Sequence, residues 1–145
     1  KPDLALEEML EHLRDLQNKS PLFFIMDTFP AFDDYQMRKM IDFIRAGKSE
    51  DYINNITTHP FEDDYGRPRT KKLMETCDNC ILYDVEPALL DQSGHFAAYD
   101  GTTHLAVFDP FSHLVPYGRQ RVEPIYEQLA RTYDSKLREL EKRLY

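Results

Sequence analysis

The sequence predicts an α+β fold, a small antiparallel sheet with flanking helices. Apolar residues recur at helical spacing towards both ends of the chain. Short apolar runs of strand length lie between them. Two of these runs flank Asp100-Gly101, a hairpin turn signal. With 145 residues, a single domain over 1–145 is expected, burying about 68–70% of the surface its unfolded chain exposes.

Leu6, Met9, Leu10, Leu13 and Leu16 predict an amphipathic helix over about 4–17, which Ser20-Pro21 ends. Leu22-Phe-Phe-Ile-Met26 reads as a buried strand or extended segment, and Phe29-Pro30-Ala31-Phe32 as a turn with two aromatic anchors. Asp33 and Asp34 are N-caps for a second helix with Met37, Met40, Ile41 and Ile44 on one face, and Gly47 is its stop. Residues 47–76 read as polar loop with one helix near 69–76. Cys80 to Val85 reads as a strand, followed by strands at 95–99 and 104–108 and a short edge strand at 114–117. Val122, Ile125, Tyr126, Leu129, Tyr133, Leu137, Leu140 and Leu144 predict a last helix of about 33 Å, with Pro124 in its first turn. No internal repeat is expected.

Eighteen Lys and Arg against 26 Asp and Glu leave a net charge of −8, which argues against nucleic-acid partners. The one basic cluster, Arg67, Arg69, Lys71 and Lys72, reads as a solvated loop or helix start. No run is long and apolar enough for a membrane span, and no signal peptide is expected. The chain begins at Lys1 rather than Met, so a processed product or a piece of a longer protein is expected.

The run His95-Phe-Ala-Ala-Tyr-Asp-Gly-Thr-Thr-His-Leu-Ala-Val-Phe-Asp109-Pro110-Phe111 resembles the catalytic hairpin of adenovirus-type cysteine proteases. There the catalytic His opens a strand, and the next strand ends in an acidic residue followed by Pro-Phe. Leu13-Arg14-Asp15-Leu16, Phe23-Phe24, Asp27, Phe29-Pro30-Ala31-Phe32 and the helices near 34–46 and 122–133 match in order. The similarity covers about 6–46 and 94–133, leaving 47–93 as an insertion. It implies the papain-like fold of the adenovirus and SUMO proteases, and a viral protein of the virion or infected-cell nucleus. It also implies His95 as general base and Asp109 as its orienting partner, with side chains about 2.6–3.2 Å apart.

The family's nucleophile lies in a Cys-Gly turn after the long helix, and its oxyanion Gln slightly before. No Cys follows His95 here, and Gln120 and Gln128 do not match the Gln. The site is therefore expected to be vestigial or incomplete and the chain inactive as given. Family members use a peptide cofactor and DNA; no cofactor is expected here.

Cys77 and Cys80 are the only cysteines. With His59, His95 or His104 they are weak candidates for zinc, and Cys77-x2-Cys80-x14-His95-x8-His104 misses the usual finger spacing. Two partly buried thiols at a helix-to-strand junction, a redox pair, or nucleophilic use of one of them are the other readings. Asp33-Asp34 and Glu62-Asp63-Asp64 read as caps and solvated loop. Three functions stay open: a non-catalytic protease-fold binding or structural component, the N-terminal part of an active viral cysteine endopeptidase, or a small acidic interaction or inhibitor protein. The helix 122–145 is the expected contact with other chains, and its last residues 134–145 are expected at an interface with another chain or with further parts of a longer parent protein.

Overall fold

The apolar spacing that predicts the first helix is met by α1, Leu4–Gln17, in a computed structural model that describes residues 3–27, 29–58 and 66–144. The expected strand follows as β1, Phe23–Met26. Asp33 caps α2, Asp34–Arg38, its carboxylate accepting the Gln36 N–H. The expected single helix breaks at Lys39, and α3, Met40–Arg45, completes it before Gly47 adopts φ +68°. Then come α4, Glu50–Thr57, α5, Gly66–Thr76, β2, Cys80–Tyr83, and α6, Glu86–Leu89. The short strands β3, Tyr99–Asp100, and β4, Leu105–Ala106, precede α7, Pro116–Leu144. The architecture is mixed helix and strand, as expected of an α+β protein.

Contacts group these elements into two compact units. The first takes in Lys1–Thr28, Asp63–Asp84 and Gln128–Tyr145. Here β1 and β2 pair in parallel, Phe23 opposite Cys80 and Met26 opposite Tyr83. Their partnership is therefore a long crossover rather than a hairpin. Leu13 of α1, Leu73 of α5 and Cys77 form the buried cluster, with Leu10, Ile25 and Cys80 packed on it. Phe24 alternates away from Ile25 and meets the Tyr133 ring of α7, centroids 5.9 Å apart. The basic cluster is more than a solvated helix start. Arg67 bonds Asp27 at 2.7 Å and lies 3.7 Å from Asp84, bridging the ends of the two strands, and Arg69 holds Asp3 at 2.8 Å.

The second unit takes in Phe29–Glu62 and Val85–Glu127. Its core is an antiparallel meander. Leu90 bridges Phe96, Tyr99 pairs with Ala106, and Phe108 bridges Leu114. Backbone bonds from Ala97 to Leu89, Val107 to Ala98 and Val115 to Val107 join the segments. Ile53, Val85, Leu89, Val107, Phe108 and Val122 are fully buried around it. The Phe108 ring packs edge-on to Phe29 and against Phe32, centroids 5.7 and 4.6 Å away. Phe29-Pro30-Ala31-Phe32 thus anchors as expected.

Four expectations fail here. The strands expected at 95–99 and 104–108 shrink to two residues each, because the connection is a wider loop over 101–104 with His104 at φ 58°. Residues 47–76 hold the unexpected α4, whose buried face uses Asn54 and Thr57 as well as Ile53. The last helix starts at Pro116 rather than near Val122, so Pro124 lies inside it instead of in its first turn. Finally, an internal repeat exists. Residues 91–99, 100–108 and 109–117 read Asp-Gln-Ser-Gly-His-Phe-Ala-Ala-Tyr, Asp-Gly-Thr-Thr-His-Leu-Ala-Val-Phe and Asp-Pro-Phe-Ser-His-Leu-Val-Pro-Tyr. Each has Asp first, His fifth, an apolar residue sixth and an aromatic residue ninth. Each repeat contributes one turn and one strand segment of the meander.

Candidate functional site

The fold gives the three Asp residues a common task. Asp91 Oδ1 accepts the N–H groups of Ser93 and His95, both at 2.9 Å. Asp100 Oδ1 accepts those of Thr102 and Thr103 at 2.9 and 3.0 Å. Asp109 Oδ1 accepts those of Phe111 and His113 at 2.8 and 2.9 Å. These are Asx turns, in which a short carboxylate satisfies amides that no strand pairs. The first and third are near copies. The first residue's N–H reaches the His carbonyl at 2.8 and 2.9 Å, and the fourth residue takes a positive φ, Gly94 at 83° and Ser112 at 63°.

Asp91 is also tied from below. Its Oδ2 accepts Asn54 Nδ2 at 2.9 Å, the same amide nitrogen donates to the Tyr99 carbonyl at 3.0 Å, and Asn54 Oδ1 accepts the Tyr99 N–H at 3.0 Å. Asn54 thus acts as a piece of strand backbone lent by α4 to the meander. Reading for apolar spacing passes over it.

This design separates the two expected catalytic residues. His95 Nδ1 lies 3.4 Å from Asp51 Oδ1 and 3.9 Å from Asp91 Oδ2, the first too poorly aligned and the second too long to be a hydrogen bond. Asp109 instead engages the His113 ring, Nδ1 to Oδ2 3.1 Å. The cause is register. Tyr99 opposite Ala106 and Ala98 bonded to Val107 would, carried further, set Asp109 opposite Phe96. That places His95 on the other face of the pair. The expected His95–Asp109 hydrogen bond is not formed.

The Asp109 carboxyl is spent on its own turn. The His113 backbone N–H lowers its pKa most, against desolvation, with Phe111 N–H and the His113 ring adding to the lowering. Asp100 is lowered mainly by the Tyr117 hydroxyl hydrogen bond.

The third turn differs from its siblings at the tip. Where the first two carry Ser93 and Thr102, it carries Phe111, which is 63% exposed. Pro110 fixes the preceding φ, and the turn springs directly from the buried Phe108. The Arg38 guanidinium of α2 stands 5.7 Å from the Phe111 ring centroid. The ring also lies 6.4 Å, centroid to centroid, from that of His113, and the first two turns are capped by their Asp without an aromatic residue at this position.

The remaining candidates are placed as follows. Cys77 and Cys80 form a disulfide at the α5–β2 junction rather than two free thiols. No group of three metal-ligating side chains converges among the described residues. His104 Nδ1 lies 2.8 Å from the Tyr99 hydroxyl. His59, Glu62, Asp63 and Asp64 lie outside the described residues. On α7, Tyr133 meets Phe24 of β1, so the expected contact stripe is taken up there by its own chain, and Leu140 borders a cleft with Pro21 and Leu22. The Leu144 side chain and Tyr145 lie outside the described residues. No described helix is long and apolar enough to cross a membrane.

No protein-family model, curated protein or solved structure matches the chain.

Proposed function

We propose that this chain is a non-catalytic protein-binding domain, and that the turn Asp109–His113 is its contact element with Phe111 as anchor. One observation carries this. An Asp-capped turn is built three times, twice with a small polar residue at its third position and once with an exposed phenyl ring, and the phenyl-bearing turn is otherwise a near copy of the first. A rigid loop presenting an aromatic side chain loses little conformational entropy on binding, which suits a hot-spot residue.

The readings as part of a protease rest on sequence resemblance alone. With His95 on the far face of the pair from Asp109, Asp109 bonded to the His113 ring, and the only two thiols joined to each other, the geometry supports the interaction-protein reading over the endopeptidase. If the scaffold is of the adenovirus-protease type, we propose that its acidic position has been reused as a turn cap.

A photocrosslinking amino acid placed at position 111, 93 or 102 tests the proposal in extracts of the source cells. A discrete adduct is expected at 111 only, competed by excess wild-type protein and not by Phe111→Ala. The same adduct pattern at all three positions would refute it.

A further inference from the structure

We propose that the Cys77–Cys80 disulfide is a redox-modifiable site for a dithiol reductant, and that its reduction opens a latch joining the end of α1 to the β1–β2 pair. The bridge closes a four-residue ring over Asp78 and Asn79. Asn79 is held to the preceding chain at three points. Its carbonyl accepts the Phe23 N–H at 2.9 Å. Its Nδ2 donates to the Ser20 carbonyl at 3.1 Å, and its Oδ1 accepts Gln17 Nε2 at 3.3 Å. The same Gln17 nitrogen lies 3.4 Å from Cys77 Sγ. The last residue of α1, the connector and the first residue of β1 therefore all depend on one asparagine whose backbone the disulfide restrains. The sheet begins at that point too, since Phe23 pairs with Cys80.

The two sulfurs differ in access. Cys77 is buried at 8% exposure against Leu13 and Leu73, and Cys80 is half-buried. A thiolate of the reductant attacks Cys80 Sγ, the S–S bond breaks, and Cys77 leaves as a thiolate and takes up a proton. The reductant's second thiol then attacks the mixed disulfide and releases the Cys80 thiol. Two electrons and two protons pass to the chain, and the reductant leaves as its own disulfide. Free cysteines behave as small apolar side chains, so the Leu13–Leu73 cluster tolerates the product. What is lost is the constraint on Asp78-Asn79, and with it the hold on residues 17–23.

Amide hydrogen exchange on the full chain, with and without dithiothreitol, tests this. Reduction is expected to speed exchange of the Phe23 amide by about 10-fold or more through local opening, while Ala97 and Tyr99 in the other unit stay unchanged. Asn79→Ala is expected to give the fast rate with the disulfide intact. The double variant C77S/C80S is expected to be fast under both conditions. If that variant fails to fold, the wild-type comparison still decides. Unchanged Phe23 exchange on reduction, equal acceleration in both units, slow exchange in Asn79→Ala, or air-oxidised protein whose two thiols alkylate without prior reduction would each overturn the proposal.

Discussion

Asn54 offers the sharpest test of how the meander is held. It is fully buried, and its amide makes three hydrogen bonds, two to the Tyr99 backbone and one to Asp91. Asn54→Ala removes them together and orphans the Tyr99 N–H, the Tyr99 carbonyl and one oxygen of a carboxylate that is itself 2% exposed. A buried group left unsatisfied costs about 1–3 kcal/mol. Alanine's better helix propensity returns about 0.5 kcal/mol, and the small cavity admits partial relaxation. The net loss should be about 3–5 kcal/mol, a large fraction of the ~5–15 kcal/mol a domain has to spare. Ser49→Ala is the control on the same helix. It removes one exposed cap bond to Tyr52 and should cost about 1 kcal/mol. Urea unfolding monitored by far-ultraviolet circular dichroism reads both. Equal losses for the two variants, or less than about 1 kcal/mol for Asn54→Ala, would show that the amide does not hold the meander.

Other outcomes follow from the same geometry. A Cβ built on Gly118 would lie 2.2 Å from the Val107 carbonyl oxygen and 2.9 Å from Leu114 Cδ2. Because the first obstacle is backbone, Gly118→Ala should destabilise by about 1–3 kcal/mol or more despite its helical position, as thermal unfolding would register. Asp100 and Asp109 both have lowered pKa values in the folded state. Their contribution is therefore fully present above the ordinary carboxylate pKa of about 3.9 and is lost as pH falls through the lower folded values. The amide resonances of Thr102, Phe111 and His113 should titrate below that range; a midpoint at or above it would contradict the assignment. A thiol-directed protease probe should leave the oxidised protein unlabelled and react after reduction at the rate of an ordinary thiol, whether or not His95→Ala is present. Labelling that depends on His95 would return the chain to the proteases. Deleting residues 134–145 should weaken any assembly of the chain more than it lowers the domain's melting temperature, since residues 134–142 of α7 are mostly exposed; an unchanged assembly state by light scattering would argue against a contact there.

The parts legible in the sequence are those set by neighbours along the chain. Helical spacing from Leu6 to Leu16 gives α1 because residues three and four apart share a face. Asp33 and Gly47 mark helix ends because one supplies an acceptor and the other a left-handed φ. The nine-residue period from Asp91 to Tyr117 was equally available, carried by identical Asp and His positions. Apolar patterning alone hides it, because the apolar content shifts among Ala, Val and Pro. α4 escapes for a related reason: Asn54 and Thr57 read as surface until their hydrogen-bond partners are known. Tertiary structure alone decided the rest. β1 and β2 pair in parallel across more than fifty residues of chain, and no local signal specifies that partner. His95 and Asp109 are parted by the register that sets Tyr99 opposite Ala106, and a two-residue turn at Asp100-Gly101 would part them equally, because both connections hold an even number of residues. One residue of register turns a side chain through the sheet, and the strand that carries the pairing is held at Tyr99 by Asn54 of α4, a partner forty-five residues away in sequence.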